Sequence, residues 1–577
     1  MAAEHGTVTT PEGKKLNKVE AIKLAKDGLE VWSDIFRYAA ADAPRLDESK
    51  AAAFLSSGGT TEQLPAAARQ AAVPEEDYVR MRWFGIYQQL PNNGYHMMRI
   101  RITNGFLTPE QFREISAISA QHGRGFGDIT TRQCIQLHWL TLDAFADILP
   151  RLEKVGLVSK FACGDTPRNV VGCPMSGLLA AEIIDPTKVV HDVARMFLDG
   201  NKEFSNFPRK FKTSIAGCHL HCHQPQINDI GAFGVVRKNP ATGAEERGYG
   251  IIVGGGLSTT PHIGQSLRVF VTEAQLPAVA RGVAHIFRDH GYREKRIRAR
   301  LKFLVADWGW QKFRDVLEQT IGFKLEHDDS ITGPVHAPHT DHMGTGPQKQ
   351  AGLNYVGIPI ERGRITSQQM ALVAELAEKH AARGNAQIRL SNKQNIILAN
   401  IPTENLDGLV KELTAAGLPP HAPLWRTSLI SCTGTQFCNL AIVETKQRAH
   451  GILKFLEEEC QIDSPIFVSV TGCPNSCAQY QIADIGLMGV VCNYKGVRQT
   501  PAFQILLGGA LGSDPKFATL TLKKVPADFI HKSIKGIADA YMQNRLDSDE
   551  TFRQFLSRHT PAQLAAWLTI PEMADVV

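Results

Sequence analysis

Four cysteines in the last third of the chain have the spacing of a metal–sulfur site. Cys432 and Cys438 lie in CTGTQFC, and Cys473 and Cys477 lie in TGCPNSCAQ. Glycines and a proline allow tight turns in these loops, so four sulfurs can face one centre while backbone N–H groups face bound sulfide. The alternative is a zinc ion, but structural zinc sites usually use cysteine pairs separated by about two to four residues. The pattern predicts a 4Fe-4S cluster.

The second of these motifs recurs 255 positions upstream, where Cys218 and Cys222 occupy the equivalent positions. The nearest candidates for the other two cysteines, Cys163 and Cys173, are spaced differently. The upstream motif also contains His219, His221 and His223. Ligands so close in sequence rarely converge on a metal without a remote pair. We therefore expect the upstream copy to be a degenerate remnant that binds no metal.

Basic residues are concentrated in short segments of the first half. They are Arg99 and Arg101 in MMRIRI, Lys210 and Lys212 in FPRKFKTS, Arg296, Arg298, Arg300 and Lys302 in KRIRARLKFL, and the nearby Arg132 and Arg168. On a strand, alternate residues share one face at intervals of about 6.6 Å. A solvated polar face is the alternative reading of such a pattern. Three such segments favour a site for a polyanionic cofactor, a small anionic substrate or both, with Arg298, Arg300 and Lys302 as cofactor-binding candidates.

The elements that must position these residues are also duplicated. LGGALGSDP from Leu507 repeats VGGGLSTTP from Val253, and GRITSQQ with NKQNIIL repeats GFLTPEQ with TRQCIQL. A period this long indicates a duplicated pair of domains and not a solenoid. The alternating stretches HMMRIRI and TTRQCIQLHWL predict strands on either side of a helix at PEQFREISAISAQHG. We expect an α+β protein with two similar halves about a pseudo-two-fold axis.

Composition shifts divide the chain into six parts. They are an N-terminal extension (1–75), a first half-domain (76–150), a larger cofactor and substrate domain (155–327), a linker (328–350), a second half-domain (351–415) and a domain for the cluster (425–577). The extension begins with a helical pattern and is expected to wrap the surface. The linker is rich in Gly, Pro and His, and its His336, His339 and His342 favour an exposed segment over a metal site.

Composition and charge exclude several classes of protein. The 577 residues carry a net charge of only +5, which does not favour a nucleic-acid partner. No apolar leader and no long apolar run is present, so the sequence predicts a cytoplasmic protein. The eleven cysteines, an odd number in short-spaced groups, favour metal or redox chemistry over disulfides. VGGGLS lacks the spacing of a dinucleotide fingerprint, which argues against direct use of NAD(P)H as the electron donor. Its glycines are expected to pack against a cofactor.

The motifs CTGTQFC, TGCPNSCAQYQIADIGLMG, MMR, TTRQ, PRNVVG and PRKFK occur in the order seen in one known family. The chain resembles the sirohaem-dependent nitrite and sulfite reductases, most closely ferredoxin–nitrite reductase, from about Lys15 to Pro515. The resemblance implies a duplicated fold with two ferredoxin-like half-domains and two larger domains, which enclose a sirohaem and a 4Fe-4S cluster. It implies that Cys477 also ligates the sirohaem iron.

The resemblance also implies roles for the basic residues and a reaction. Thr130, Arg132 and Gln136 are expected to contact the macrocycle. The residues expected around the open iron position are Arg99, Arg168, Lys210 and Lys212. The implied reaction is the six-electron reduction of nitrite to ammonium, with reduced ferredoxin as donor, by a chain expected to be a monomer. A different class, an iron–sulfur carrier or regulator without turnover, is disfavoured because it needs no duplicated fold.

One residue departs from the nitrite-reductase pattern. Nitrite reductases of plants and cyanobacteria usually have asparagine where this chain has Lys212, whereas sulfite reductases have lysine. An additional cation suits a dianion, so reduction of sulfite to sulfide is the alternative reaction. Some sulfite-reducing members also carry a tyrosine–cysteine thioether, and Tyr87 and Cys163 lie in the matching segments. A buried free thiol near a core tyrosine is the simpler interpretation of these two residues.

Overall fold

The computed structural model describes residues 7–9, 15–41, 73–90, 94–218, 222–239, 242–334 and 342–576, and shows a mixed α+β fold. The strands are β1 (Thr7–Thr9), β2 (Lys15–Asn17), β3 (Ile86–Gln88), β4 (His96–Ile100), β5 (Phe106–Leu107), β6 (Phe126–Ile129), β7 (Ile135–Leu140), β8 (Val171–Gly172), β9 (Thr213–Ala216), β10 (Ile230–Lys238), β11 (Glu245–Val253), β12 (Gln265–Val271), β13 (Glu326–His327), β14 (Gly344–Pro347), β15 (Leu353–Ile358), β16 (Arg364–Thr366), β17 (Gln387–Leu390), β18 (Ile396–Pro402), β19 (Leu429–Ser431), β20 (Val468–Thr471), β21 (Ile485–Tyr494), β22 (Val497–Leu507) and β23 (Thr519–Pro526). The α-helices are Lys18–Ala25, Trp32–Ala41, Glu75–Met81, Pro109–His122, Phe145–Lys154, Thr187–Asp199, Leu276–His290, Leu301–Ile321, Ser367–His380, Thr403–Ala415, Leu424–Ser428, Lys446–Glu459, Ile530–Asn544, Phe552–Ser557 and Pro561–Leu568.

The two half-domains exchange a short strand. One sheet has the order β16-β6-β7-β4-β3 and the other β14-β15-β18-β17-β5, so β5 and β16 each join the sheet of the other half. Each exchanged strand leads into a helix that begins with the same capping box, formed by Thr108 with Gln111 and by Thr366 with Gln369. Both capping boxes satisfy N-terminal N–H groups of their helix. The predicted duplication therefore produces intertwined units rather than two separate ones.

The two larger domains share one strand order. Strands β8, β9 and β10 are parallel neighbours and β11 follows antiparallel, and β19, β20, β21 and β22 repeat this arrangement. The first of these domains shares a hydrophobic core with the half-domains and the N-terminal helices, whereas the second has a core of its own. Because carboxyl ends of parallel strands meet at one sheet edge, the loops after β8 and β9 are adjacent, as are those after β19 and β20.

Glutamine side chains mark the pseudo-two-fold axis. Gln224 and Gln479, which are equivalent in the two halves, bond to each other through both amide groups, at 2.8 and 2.7 Å. Gln226 bonds to the backbone of Gly512, with distances of 2.8 and 2.7 Å. Its counterpart Gln481 bonds in the same way to the backbone of Ser258, at 2.8 and 3.2 Å. Each half therefore satisfies backbone groups of the other, which fixes the relation between the halves.

The segment KRIRARLKFL is not the strand that its alternating arginines suggest. Arg296–Arg298 forms a 3-10 turn, and the helix Leu301–Ile321 begins directly after Arg300. Leu301, Leu304 and Val305 are buried, and their spacing is that of one helix face. The strand prediction was wrong because a period of two over a few basic residues coincides with the start of this apolar helical stripe.

The N-terminal extension folds into the molecule instead of only covering it. Its helical pattern forms the helix Lys18–Ala25, capped by Asn17, and the helix Trp32–Ala41 after a 3-10 turn at Gly28–Val31. Val19, Ile22, Val31 and Ile35 join the main core. Parts of the predicted extension and linker, with His336 and His339, and also His219 and His221, lie outside the described residues. Within the described chain, no helix has the length and apolar character needed to span a membrane.

Candidate active site

The predicted cluster cysteines lie on two adjacent loops. Cys432 directly follows β19, and Cys473 follows β20 after one residue, at the shared carboxyl edge of these parallel strands. The N–H of Cys432 donates to the carbonyl of Val470 at 3.0 Å, which joins the loop starts. Gly434 has a φ of +67° and turns the first loop, so that the N–H of Cys438 donates to the carbonyl of Gly434 at 3.0 Å. A side chain at Gly434 would be strained there.

Backbone and hydroxyl donors face the sulfur atoms. The N–H of Gly472 lies 3.2 Å from the Sγ of Cys432, and Thr445 Oγ1 lies 3.7 Å from it. Burial raises the pKa of Cys432 to about 12, with the neighbouring Cys477 as the second cause, while the Gly472 N–H acts in the opposite direction. Burial likewise raises the pKa of Cys473 to about 11. Coordination to a metal removes such protons, and preorganised N–H donors suit thiolates and sulfides.

The donor set fits an iron–sulfur cluster. Electrostatic interactions link Cys477 to Cys432, Cys438 and Cys473, so the four thiols share one neighbourhood. Among the residues that the structure describes, no three His, Cys, Asp or Glu side chains are gathered tightly enough for a single metal ion. A cubane cluster spaces its thiolates more widely than a single ion, because each thiolate binds a different iron. The looser spacing is therefore compatible with a cluster.

The predicted anion-binding residues lie near this loop pair, since Arg99 and Lys210 both interact electrostatically with Cys477. The loop of Arg168 contacts the loop of Lys210 and Lys212, because the backbone N–H of Arg168 donates to the carbonyl of Phe211 at 2.7 Å. Burial lowers the pKa of Lys210 to about 7, assisted by Arg209, Arg300 and Arg168. Burial also lowers the pKa of Lys212 well below its usual value, with Arg132 and Lys210 as further causes. Several basic groups crowded into one buried region form a site for an anion.

Three guanidiniums in this region have nitrogen atoms that the described protein leaves without a partner. They are Nε and Nη2 of Arg101, Nε of Arg132 and Nε of Arg168, all buried. The other nitrogens of Arg132 are bonded, to Asn228 Oδ1 at 2.9 Å and to the carbonyl of Asn169 at 2.6 Å. Buried unsatisfied donors are costly. A polycarboxylate cofactor or a small oxyanion would satisfy them, so the residues fit such groups.

Arg99 connects the anion site to the cluster loops. Its Nη2 donates to Gln136 Oε1 at 2.6 Å, and Gln136 Nε2 lies 3.4 Å from the hydroxyl of Thr433, which follows Cys432. Strand β4 carries Arg99 opposite Gln136 on β7, as the strand prediction required. Thr130, by contrast, uses its hydroxyl to accept from two backbone N–H groups of its own turn, each at 3.2 Å.

Asp229 anchors the cofactor-binding candidates, and sequence analysis did not single it out. Its carboxylate accepts from Arg300 Nη2 at 2.8 Å and from the Lys212 N–H at 2.8 Å. Its counterpart Asp484 accepts from Arg553 and from the N–H of Phe467 in the same arrangement, at 2.8 and 2.9 Å. The repeated Asp-Ile-Gly was the available signal. Asp229 fixes the start of β9, and Asp484 fixes the start of β20.

The other two basic candidates differ in position. Lys302 is buried and donates to the carbonyl of Leu257 at 3.0 Å and to that of Thr260. Arg298 has an exposed side chain whose guanidinium lies 3.5 Å from Asp307. The structure thus brings Lys302 and Arg300 to the interior but leaves Arg298 at the surface, since the 3-10 turn breaks the alternation.

The upstream cysteines reproduce the cluster arrangement more closely than their spacing indicated. Cys173 directly follows β8 and Cys218 lies two residues after β9, as Cys432 and Cys473 do after β19 and β20. Cys173 interacts electrostatically with Cys218 and with Cys222. Cys173 is thus the positional counterpart of Cys432, and its different spacing in the sequence arises because the connection from β8 to β9 is longer than that from β19 to β20.

The glycines of VGGGLS serve packing within the protein. A Cβ at Gly254 would lie 2.7 Å from Val305, and one at Gly255 would lie 2.3 Å from the carbonyl oxygen of Gln226. In the second half, a Cβ at Gly509 would lie 2.6 Å from Ile482. These contacts are with an α-helix and two 3-10 turns, so Gly254, Gly255 and Gly509 allow close packing within the protein. A Cβ at Gly256 would lie 3.1 Å from Arg300 Nη2, so packing of this glycine against a cofactor stays a prediction.

Comparison with known families decides the class of this site. The model of the nitrite and sulphite reductase 4Fe-4S domain matches residues 163–325 and 426–571. The model of the nitrite/sulfite reductase ferredoxin-like half domain matches residues 87–155 and 346–416. The chain belongs to the nitrite and sulfite reductase family. Family membership confirms the predicted duplicated fold and gives this chain a 4Fe-4S cluster and a sirohaem.

Relatives named as sulfite reductases and relatives named as nitrite reductases resemble the chain to similar extents. A ferredoxin-type sulfite reductase 2 of Mycolicibacterium paratuberculosis is 37% identical over 83% of this chain and 88% of its own length. The assimilatory ferredoxin-dependent nitrite reductase of Haloferax mediterranei is 35% identical, with 86% and 88% covered. The solved structure of the Mycobacterium tuberculosis NirA protein matches with a TM-score of 0.83 and 34% identity, covering 95% of this chain and 97% of that one. This chain is an oxidoreductase that reduces nitrite or sulfite.

Proposed function

We propose that this chain reduces sulfite to sulfide with six electrons supplied by reduced ferredoxin. The observation that carries the proposal is Lys212, which interacts electrostatically with Lys210. A bound anion favours the protonated form of a buried lysine, so Lys212 would add a fourth positive charge to the group formed with Arg99, Arg168 and Lys210. Sulfite carries more negative charge than nitrite, so it gains more from the additional cation. Ferredoxin stands in the names of the relatives of both kinds.

Residues for both cofactors follow from the site. The thiolates that would hold the 4Fe-4S cluster are Cys432, Cys438, Cys473 and Cys477, and Cys477 would also bind the sirohaem iron. The residues that would hold the sirohaem and its carboxylates are Thr130, Arg132, Gln136, Arg300 and Lys302. When bound, the cofactors supply single electrons and an iron position for the anion.

The protein side chains bind the anion and handle protons. Arg168 and Arg99 present fixed guanidiniums, which stabilise charge that develops on the anion's oxygens as they leave. Lys210, whose pKa lies at about 7, can pass between ammonium and amine near neutral pH and so can deliver protons to a departing oxygen. Each oxygen leaves as water, which requires two protons. A site of this composition needs no carboxylate as general base.

Nitrite reduction to ammonium is the second candidate. The nitrite reductase of Synechococcus elongatus is 35% identical over 88% of this chain, a greater share than the 83% matched by the sulfite reductase of Mycolicibacterium paratuberculosis. The same cations and proton donors would serve nitrite, since that reduction also consumes six electrons and releases water. The choice between the anions therefore depends on the charge of the anion-binding residues.

Replacing Lys212 by asparagine tests that charge. We expect the ratio of kcat/KM for sulfite to kcat/KM for nitrite to fall about tenfold, because loss of one cation costs the more charged anion more. The measurement uses one reduced artificial donor for both anions and both proteins. Lys295→Asn, a change at an exposed position of the same half, should leave the ratio unchanged. An unchanged ratio in Lys212→Asn would mean that Lys212 does not select the anion.

Tyr87 and Cys163 provide a second test. Burial raises the pKa of Tyr87 to about 12, and Cys163 is the next cause, so the phenol and the thiol are neighbours. Arg99 Nη1 lies 2.8 Å from Cys163 Sγ. For a sulfite reductase of this kind we expect a thioether between Tyr87 and Cys163. It would be detected as one cross-linked peptide after denaturation and thiol reduction. Recovery of two unmodified peptides would contradict it, and the peptide of the buried Cys134 serves as the uncross-linked control.

A further inference from the structure

A lysine of the N-terminal extension reaches the loops that carry the anion-binding cations. Lys23 lies on the helix Lys18–Ala25, and its side chain is 2% exposed. Its Nζ donates to the carbonyl of Phe207 at 2.7 Å and lies 3.4 Å from Asp165 Oδ2. Asp165 precedes Arg168 by three residues, and Phe207 precedes Lys210 by three. One ammonium group thus contacts both loops at their approach to the anion site.

Asp165 is the centre of this contact. Arg296 donates to its two carboxylate oxygens at 2.8 and 3.1 Å, and Arg209 lies 3.6 Å from it. The carbonyl of Asp165 accepts from the N–H of Phe207 at 3.0 Å. The carboxylate therefore links the loop before Arg168, the loop before Lys210 and the turn that leads to Arg300. Bidentate charge-assisted bonds of this kind restrict the position of both partners.

A second set of contacts repeats the connection. Glu20 accepts from Lys23 and, through Oε2, from Arg293 at 2.9 Å. Arg293 also donates to the side chain and carbonyl of Asn206, at 3.0 and 2.8 Å. Burying charged groups is costly unless geometry and pairing are good. An extension that only covered the surface would need no such buried ion network.

We propose that Lys23 is a positioning residue of the anion site, acting through Asp165 and Phe207; this inference rests on the function proposed above. By holding the two loops at a fixed separation, it sets the distance between the guanidinium of Arg168 and the ammonium groups of Lys210 and Lys212. The extension is then part of the catalytic framework, although none of its residues touches the anion.

The test replaces Lys23 by methionine in the full-length holoenzyme. Asp165 keeps its bidentate partner Arg296, so the variant retains a paired carboxylate. We expect kcat/KM for the anion to fall roughly ten- to hundredfold through a higher KM, because small displacements of binding groups have large effects. Lys18→Met is the matched control, since Lys18 lies on the same helix and forms only a partly exposed ion pair with Glu75. It should leave both constants unchanged.

Hydrogen exchange separates positioning from general stability. In Lys23→Met, amides at 163–168 and 205–212 should exchange faster, while those of β19 to β23 keep their rates at a temperature well below unfolding. The double variant Asp165→Asn/Lys23→Met should lose less kcat/KM, on a logarithmic scale, than the two single variants lose together. This is the result expected for residues that act together. If Lys23→Met prevents folding, Lys23→Gln, which can still donate to Phe207, takes its place in the same measurements.

The outcomes distinguish this inference from the proposed function. Unchanged KM and unchanged exchange in both loops, with only a lower melting temperature, would overturn the positioning role while leaving the reaction intact. A wild-type enzyme that reduces neither anion would overturn the function. In that case, faster exchange confined to the two loops would still support the role of Lys23 in fixing them.

Discussion

Replacing Cys438 by serine is expected to abolish anion reduction with any donor. Cys438 lies in a tight turn at Gly434, the N–H of Leu440 faces its sulfur, and the N–H of Ala441 donates to its carbonyl at 3.1 Å. A serine hydroxyl is a poor ligand for iron, so the cluster loses one of its four attachments and assembles incompletely. The measurement is iron and labile sulfide per chain, together with the electron paramagnetic resonance signal of the reduced cluster.

Cys492→Ser supplies the matched control for this change. Cys492 is buried on β21 of the same domain but lies outside both cysteine loops. Its variant should keep iron, sulfide and activity at wild-type levels. Full cluster content in Cys438→Ser would contradict the ligand assignment, and loss of the cluster in both variants would indicate a general sensitivity of the domain instead.

Replacing Arg168 by alanine is expected to lower kcat/KM for the anion by about a hundred- to a thousandfold, the range found when one preorganised donor to developing charge is removed. Its Nη1 and Nη2 donate to the carbonyls of Ala162 and Gly164, at 3.2 and 2.7 Å. This leaves Nε, which is buried and has no partner among the described residues, for a ligand. Steady-state kinetics with a reduced artificial donor gives the value.

Arg298→Ala is the control for Arg168→Ala. Both arginines belong to the basic segments that the sequence pattern marks, but Arg298 is at the surface beside Asp307. A surface change of this kind has little effect, so we expect kcat/KM within about twofold of wild type. A large loss in Arg298→Ala would place that residue in the site after all. A small loss in Arg168→Ala would remove Arg168 from the anion-binding group.

Much of the site could be predicted because its residues are close together along the chain. The cluster loops carry Cys432 with Cys438 and Cys473 with Cys477 within a few residues of a strand end, so spacing alone reports the geometry of each pair. The strand with Arg99 was likewise readable, since period-two alternation reflects one strand's own faces. The family confirmed the fold, the cofactors and the class of reaction that these motifs implied.

Contacts between distant segments were not readable in the same way. The electrostatic link of Cys173 to Cys218, the pairing of Arg300 with Asp229 and the approach of Lys23 to Asp165 each join residues far apart in sequence. Local periodicity describes the environment of one element and says nothing about which element lies opposite. The same limit explains the error at KRIRARLKFL, where the tertiary packing of Leu301 and Val305 overrode the alternation of the arginines.

The sequence by itself therefore determined the duplicated architecture, four candidate cluster cysteines and the excess of cations in the first half, because each depends on residue type and local spacing. The tertiary structure decided which basic residues share one buried region, which remain at the surface, and that the N-terminal extension contacts the loops proposed to bind the anion. Burial and charge pairing are properties of the assembled chain, since desolvation and Coulomb energies depend on distances between elements that only the folded topology brings together.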